Sequence, residues 1–330
     1  YFCSPQIILL PFNNQFIIMK NLSKHLSYSE KENQLNLSFS SNGPFYHLCT
    51  NGEETQMIFT SDEDFKHAMN FVAYAAKSIS GVSIYTFTIM INHFHFIVAG
   101  TKEKVVDFYK LFRSKLSRYL TQKEIYIDLH SIEYQLIEIK TLFSLRNEIV
   151  YTNRNGYVAD SSCSFFSYRW GAGAYFFNPI SRLIIGERYD SLSYREQRRI
   201  VSARKSDYLN DCRIYDGVIL PTSYCKIDEA ESYFQDAHMY SHMISRNSEA
   251  YAEISKQIKD RIFLTYNELH SVVSSLCKEK YSQNVPSLIP ADAKLEMAKY
   301  MKSKYNATLS QIRTILKLDS SIINSLFPSV

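Results

Sequence analysis

The run Thr86-Phe-Thr-Ile-Met-Ile-Asn-His-Phe-His-Phe-Ile-Val-Ala99 constrains this chain more than any other segment. It is long, apolar and rich in β-branched and aromatic residues, so it reads as a buried strand. Side chains alternate along a strand. His93 and His95 therefore share one face, about 7 Å apart, and Phe94 and Phe96 occupy the other. Two imidazoles buried in such a strand are costly unless something satisfies them. A hydrogen-bonding neighbour would do so, and so would a divalent metal ion.

The surrounding pattern places this strand in a compact unit. Residues 45–49 read as a strand. Residues 62–78 carry apolar side chains at helical spacing, and Ser61 or Asp62 can cap that helix. Residues 82–99 form the histidine strand. A helix over 105–120 bears the stripe Val105, Phe108, Phe112, Leu116 and Tyr119. A strand over 125–139 and a helix over 142–155, stopped by Gly156, complete the unit. This order predicts a mainly antiparallel sheet with helices on its faces. Beyond residue 159 the character changes. An aromatic, glycine-containing loop spans 165–177, and an arginine-rich helix is expected over 192–205. Residues 228–283 read as helical with polar interruptions, 285–290 as a linker, and 291–305 as a helix. Residues 308–326 have the apolar spacing of helix, short turn, helix, which serves packing or DNA reading equally well. His238 and His242 have helical ligand spacing but lack the glutamate of a zincin, and read as surface.

The phrase Met90-Ile-Asn-His-Phe-His-Phe-Ile-Val98 resembles the HUH signature of single-tyrosine transposases, in particular the REP-associated tyrosine transposases, with Ile91 where proline is usual. Pro44-Phe-Tyr-His-Leu-Cys-Thr-Asn-Gly52 is similar to their opening strand, and Ile58-Phe-Thr-Ser-Asp-Glu-Asp-Phe65 to the approach to their first helix. Residues 104–123 look like their basic helix. Tyr151-Thr-Asn-Arg-Asn-Gly-Tyr-Val158 resembles their Tyr-x-x-x-Asn-Pro segment, with Gly156 in place of proline, and Ser164-Phe-Phe-Ser-Tyr-Arg-Trp170 their aromatic tail. The resemblance covers about residues 44–177.

This resemblance implies an α+β fold: a ferredoxin-like HUH domain with an antiparallel sheet and helices, the histidine strand central, followed by a mainly helical C-terminal region. Together with the residue patterns outside 44–177, it divides the chain into an extension and tether (1–43), the HUH domain (44–180), a mainly helical accessory region (181–290) and a candidate helix-turn-helix module (291–330). It makes Tyr151 the catalytic nucleophile, with Tyr157 the nearest rival, and makes His93, His95 and Asn155 the metal ligands. Tyr151 and Asn155, four apart, project from one helical face. Two imidazoles and an amide oxygen suit Mg²⁺ or Mn²⁺; no thiolate is expected at the site, which argues against structural zinc. The implied activity is a metal-dependent single-stranded DNA endonuclease and strand-transferase forming a 5′-phosphotyrosine, with single-stranded or hairpin DNA as partner. Two rivals are a non-catalytic DNA-binding regulator derived from the same fold and a metal-dependent DNA hydrolase. Lys110, Arg113, Lys115 and Arg118 on the basic helix are candidates for phosphate contact. Arg169 and Trp170 are candidates for base stacking.

Composition adds bounds. The net charge of +4 permits a nucleic-acid partner without requiring one. The six cysteines have neither pairing nor zinc-ligand spacing, which suits a reducing cytoplasm. The apolar stretch 7–19 is too short for a membrane span and carries Asn, Gln and Pro, so no membrane association is expected. Either Met19 is the expected natural start or residues 1–18 are a loose extension. The sequence leaves monomer and homodimer both open.

Overall fold

The computed structural model describes residues 43–51, 57–159, 166–246, 254, 255, 257 and 264–327. The extension, the tether through residue 42 and Met19 lie outside the described residues. Strand β1 (Phe45–Thr50) leads to helix α1 (Asp62–Ser78). Strands β2 (Val82–Ile89) and β3 (Phe94–Gly100) follow as a hairpin, then α2 (Lys102–Gln122), β4 (Tyr134–Ile139) and α3 (Leu142–Ala159). The sheet order is β2-β3-β1-β4, with every pairing antiparallel. This is the ferredoxin-like β-α-β-β-α-β arrangement. The histidine strand is central, as expected.

Three details correct the sequence reading. The expected single strand over 82–99 is two strands, turned at residues 90–93, where Met90 N donates to the carbonyl of His93 at 2.8 Å. His93 therefore sits at the hairpin end, just ahead of β3. The strand expected over 125–139 is confined to Tyr134–Ile139. Gly156 does not stop the third helix, which runs on to Ala159. Its role is close approach: a Cβ there would lie 2.2 Å from Cδ1 of Tyr168, whose hydroxyl donates to the carbonyl of Ile89 at 2.7 Å.

The two faces of the sheet have different tasks. Phe94 and Phe96 point to the α1/α2 side, where Phe108 and Phe112 meet them edge-on at 5.2–5.5 Å. Each buried phenylalanine stabilises this layer by roughly 2–3 kcal/mol. Ser61 opens α1 with a capping box. Fully buried Asp64 accepts from Tyr119 (2.9 Å) and Lys123 (2.6 Å) and so ties the start of α1 to the end of α2. His95 points to the other face, under α3.

The rest of the chain packs around this unit. Helix α4 (Pro179–Arg182) leads into a segment where strand β5 (Glu187–Arg188) pairs with β6 (Arg213–Tyr215), and where α5 (Tyr194–Val201), β6 and β7 (Val218–Ile219) form a small core with Ala73 of α1. Asn70 of α1 fixes it: its amide donates to the carbonyl of Gly217 and accepts from Ile219 N, both at 2.8 Å. Helices α6 (Ile227–Ser232) and α7 (Ala237–Arg246) join the main core. A separate helical core holds α8 (Tyr266–Tyr281), α9 (Ala291–Tyr305), α10 (Leu309–Leu316) and α11 (Ser320–Leu326). The expected helix, turn and helix over 308–326 are present, and Ile312, Ile315, Leu316 and Ile323 face that core. The expected linker at 285–290 is a packed turn, with Pro286 and Ile289 buried. The fold is thus α+β with a mainly helical C-terminal region. Among the described residues no helix is long and apolar enough to cross a membrane.

Arg154 of α3 and Glu268 of α8 join the two larger cores through a buried bidentate ion pair, with Nε to Oε1 at 3.2 Å. Glu268 also completes the capping box of α8 with Thr265. Two stability outcomes follow from this packing. Gly156→Ala should cost about 1–3 kcal/mol because the Tyr168 ring cannot withdraw from a hydroxyl bond to β2; calorimetry should show a Tm lowered by several degrees, and an unchanged Tm would contradict the close approach. Glu268→Gln leaves a guanidinium buried without its counter-charge and should cost about 3–5 kcal/mol. A Tm equal to that of the unsubstituted chain would show that the pair does not bear on stability.

Candidate functional site

The site begins with the register of two strands. β1 and β3 are paired so that Cys49 lies opposite His95 and His47 opposite Ile97. His47, Cys49 and His95 consequently share the face covered by α3. One ligand atom from each lies within 4.8 Å of the other two. All three side chains are buried.

A chain of hydrogen bonds runs through this cluster. His47 Nδ1 lies 2.7 Å from Glu148 Oε2, and His47 Nε2 lies 3.1 Å from His95 Nδ1. The far nitrogen of His95, Nε2, is 3.4 Å from the side-chain nitrogen of Asn155. One proton assignment satisfies all three contacts. Asn155 donates to His95 Nε2, His95 Nδ1–H donates to His47 Nε2, and His47 Nδ1–H donates to the Glu148 carboxylate. Both imidazoles are neutral in that arrangement.

The donors also fit a metal ion. Glu148 fixes the tautomer of His47 so that its Nε2 lone pair points towards Cys49 and His95, the carboxylate–histidine support common behind metal ligands. Moving the His95 proton to Nε2, with the Asn155 amide turned to accept it, would free Nδ1 as a second nitrogen donor. Cys49 would supply a thiolate. The set can therefore bind a metal ion, and it includes the thiolate that the sequence reading did not expect.

His93 stands beside the cluster. Its ring centroid is 5.0 Å from that of His95 in a T-shaped contact, and its Nδ1 is 2.7 Å from Asn92 Oδ1. Tyr151 of α3 lies over the histidines, with its ring 5.6 Å from His95 and 6.2 Å from His47. It is only 1% exposed. Asn155 is one turn further along the same helical face and equally buried. The structure therefore brings together His93, His95, Tyr151 and Asn155, and adds His47, Cys49 and Glu148. The opening-strand phrase contained His47 and Cys49 at strand spacing, which puts both on one face; that was the available signal. Tyr157 falls within α3, and its side chain lies outside the described residues.

The candidate DNA contacts are dispersed. Lys110 is exposed. Arg113 lies over the Tyr109 ring at 5.3 Å. Lys115 donates to the carbonyls of Val201 (3.0 Å) and Ser202 (2.9 Å) at the end of α5. Burial, with Arg118 alongside, pulls its ammonium down to about 8. Arg118 is exposed. Arg169 pairs with Asp216 at 2.7 Å and lies 5.1 Å from the Trp170 ring. Trp170 stacks on Phe65 at 4.9 Å, and its carbonyl accepts from Ile89 N at 2.8 Å. Its segment lies along the β2 edge of the sheet, with Gly171 bridged to Thr88. His238 and His242 are exposed on α7.

Cys49, Cys212, Cys225 and Cys277 form no disulfide among the described residues. No family model matches the sequence, and no curated protein matches it. Among solved structures, the chain is similar to a REP-associated tyrosine transposase bound to a REP hairpin, with a TM-score of 0.32 and 11% identity over 43% of this chain and 81% of that one.

Proposed function

We propose that this chain is a metal-dependent, HUH-type single-strand DNA endonuclease and strand-transferase, with Tyr151 as its nucleophile. The observation that supports this reading most is the convergence of Tyr151, His93, His95 and Asn155 with the His47–Cys49–His95 cluster under one helix. The HUH-like sequence phrase supports it independently. In this reading residues 44–180 carry the reaction, residues 181–290 and 291–330 are accessory, and the partner is single-stranded or hairpin DNA.

The Tyr151 hydroxyl oxygen attacks a backbone phosphorus. A 5′-phosphotyrosine bond forms, the P–O3′ bond breaks, and a 3′-hydroxyl leaves with a proton. The phosphodiester energy is retained, so attack by a 3′-hydroxyl reseals the strand without a nucleotide cofactor. A phenol with a pKa near 10 is a weak nucleophile at neutral pH and must lose its proton on the way. The neighbouring Glu148–His47–His95 chain supplies groups able to take it. A divalent ion, when bound, supplies Lewis-acid polarisation of the phosphate. With His93, His95 and Asn155 as donors that ion is Mg²⁺ or Mn²⁺; His47 and Cys49 extend the choice to Zn²⁺.

The near-complete burial of Tyr151 favours one second reading, a DNA-binding regulator of the same fold that no longer cuts. Incubation with labelled hairpin DNA and Mn²⁺ or Zn²⁺, followed by a denaturing gel, separates the two. The proposed enzyme leaves a covalent protein–DNA band; a regulator leaves none, and a hydrolase leaves cut DNA without a band.

Two substitutions sharpen the test. Tyr151→Phe removes one hydroxyl and should leave folding and hairpin affinity close to the original while eliminating the covalent band; persistence of the band would place the nucleophile elsewhere. His95→Ala removes a donor common to both ligand sets. It should abolish metal binding by titration calorimetry and cleavage together, and cleavage at the original rate would overturn the metal assignment.

A further inference from the structure

A second feature lies on the other side of the sheet. Helices α2 and α5 border an open groove of about 1120 Å³. Lys115 and Arg118 line one wall, and Arg195, Arg198, Arg199 and Arg204 line the other. The four arginines come from the segment beyond the HUH-like unit. Because α2 packs on the Phe94/Phe96 face and Tyr151 meets His95 on the opposite face, the groove and the histidine cluster are separated by the sheet.

The groove is strongly net positive: Glu196 is the one carboxylate of its lining, beside Arg199. Among the described residues none of the five guanidiniums at 118, 195, 198, 199 and 204 forms an ion pair with a carboxylate. Glu196 is the acidic residue of the lining, and it is held by the capping box of α5, accepting from Ser193 N at 2.9 Å and Ser193 Oγ at 2.6 Å. All five arginines are exposed. The groove is also built rather than incidental. Lys115 spends its ammonium on the last carbonyls of α5 and so fixes α5 against α2. Its lowered pKa fits that buried, cation-crowded position.

We propose that this groove is an anchoring site for the sugar-phosphate backbone of duplex DNA, bound without regard to sequence. Guanidinium forks match phosphate oxygens in pairs. Four arginines along one wall, with Arg118 on the other, suit a ligand whose phosphates repeat along its length. The groove offers little for unpaired bases: Tyr194, its exposed ring, lies under Arg198 at 5.8 Å. A stacking platform for single strands would present open aromatic faces instead. The site does not depend on the chemistry proposed for the histidine cluster. If both readings hold, a duplex stem rests on the α2/α5 side while the strand to be cut passes around the sheet to the other.

The test is fluorescence polarisation of the full chain with a labelled duplex of random sequence over a range of salt. The variant carrying Arg195→Ala, Arg198→Ala, Arg199→Ala and Arg204→Ala should bind about tenfold or more weaker, and its log–log salt slope should fall by about 3–4. The same four positions changed to Lys should recover most of the slope. Lys115→Met should lower Tm and leave the slope nearly unchanged. His95→Ala should bind duplex as the original does, even where cleavage is lost, so failure of the catalytic reading leaves this result intact. Unchanged affinity and slope in the folded four-alanine variant would overturn the proposal, as would tight duplex binding that is independent of salt.

Discussion

The hydrogen-bonded chain from Glu148 through His47 and His95 to Asn155 is the constraint on which the centre of this molecule depends. It joins two paired strands to the helix above them, and every member is buried. A buried polar group left without a partner costs about 1–3 kcal/mol, so each member holds its neighbour in one orientation. The sheet register follows from the same constraint. A one-residue slip of β1 would carry His47 and Cys49 to the Phe94/Phe96 side and strand both. The polar cluster is thus tolerated in a core because it is fully connected, and being fully connected, it leaves the fold little freedom.

Much of the architecture was legible because it is local. The start of α1 near Ser61 and Asp62, the apolar stripe of α2, the limits of α9 at 291–305 and the paired helices at its end follow from spacing and capping alone. The shared face of His93 and His95 was legible for the same reason. What was missed is tertiary. Cys49 joins the site because β1 pairs with β3 in a particular register, and no spacing within either strand announces that pairing. Gly156 read as a helix stop by its backbone freedom, yet its job is to let the Tyr168 ring approach. The hairpin at 90–93 was hidden because Met90 and Ile91 continue the apolar run across the turn.

Charge was the least legible property. Arg169 read as a candidate for base stacking and Lys115 for phosphate contact, but one faces Asp216 and the other closes a helix end. Conversely, the segment at 192–205 read only as an arginine-rich helix, and its position across from α2 is what gives its charge a direction. Whether a cation is available to a ligand depends on what folds next to it.

The four residues from Thr152 to Asn155 engage four different parts of the protein. Thr152 accepts through its carbonyl from Thr88 on β2, Asn153 bonds Thr86 on β2 and Tyr240 on α7, Arg154 holds α8, and Asn155 holds His95 on β3. One helical turn is thus keyed on every side, like a splined shaft. Helix α3 can neither roll about its axis nor slide along it without releasing several of these keys at once. In the reaction proposed above, a motion that brings Tyr151 to a DNA strand must therefore leave α3 standing and shift what surrounds it. For the same reason substitutions in this turn should be inherited in sets, since each residue there is fitted to a different neighbour.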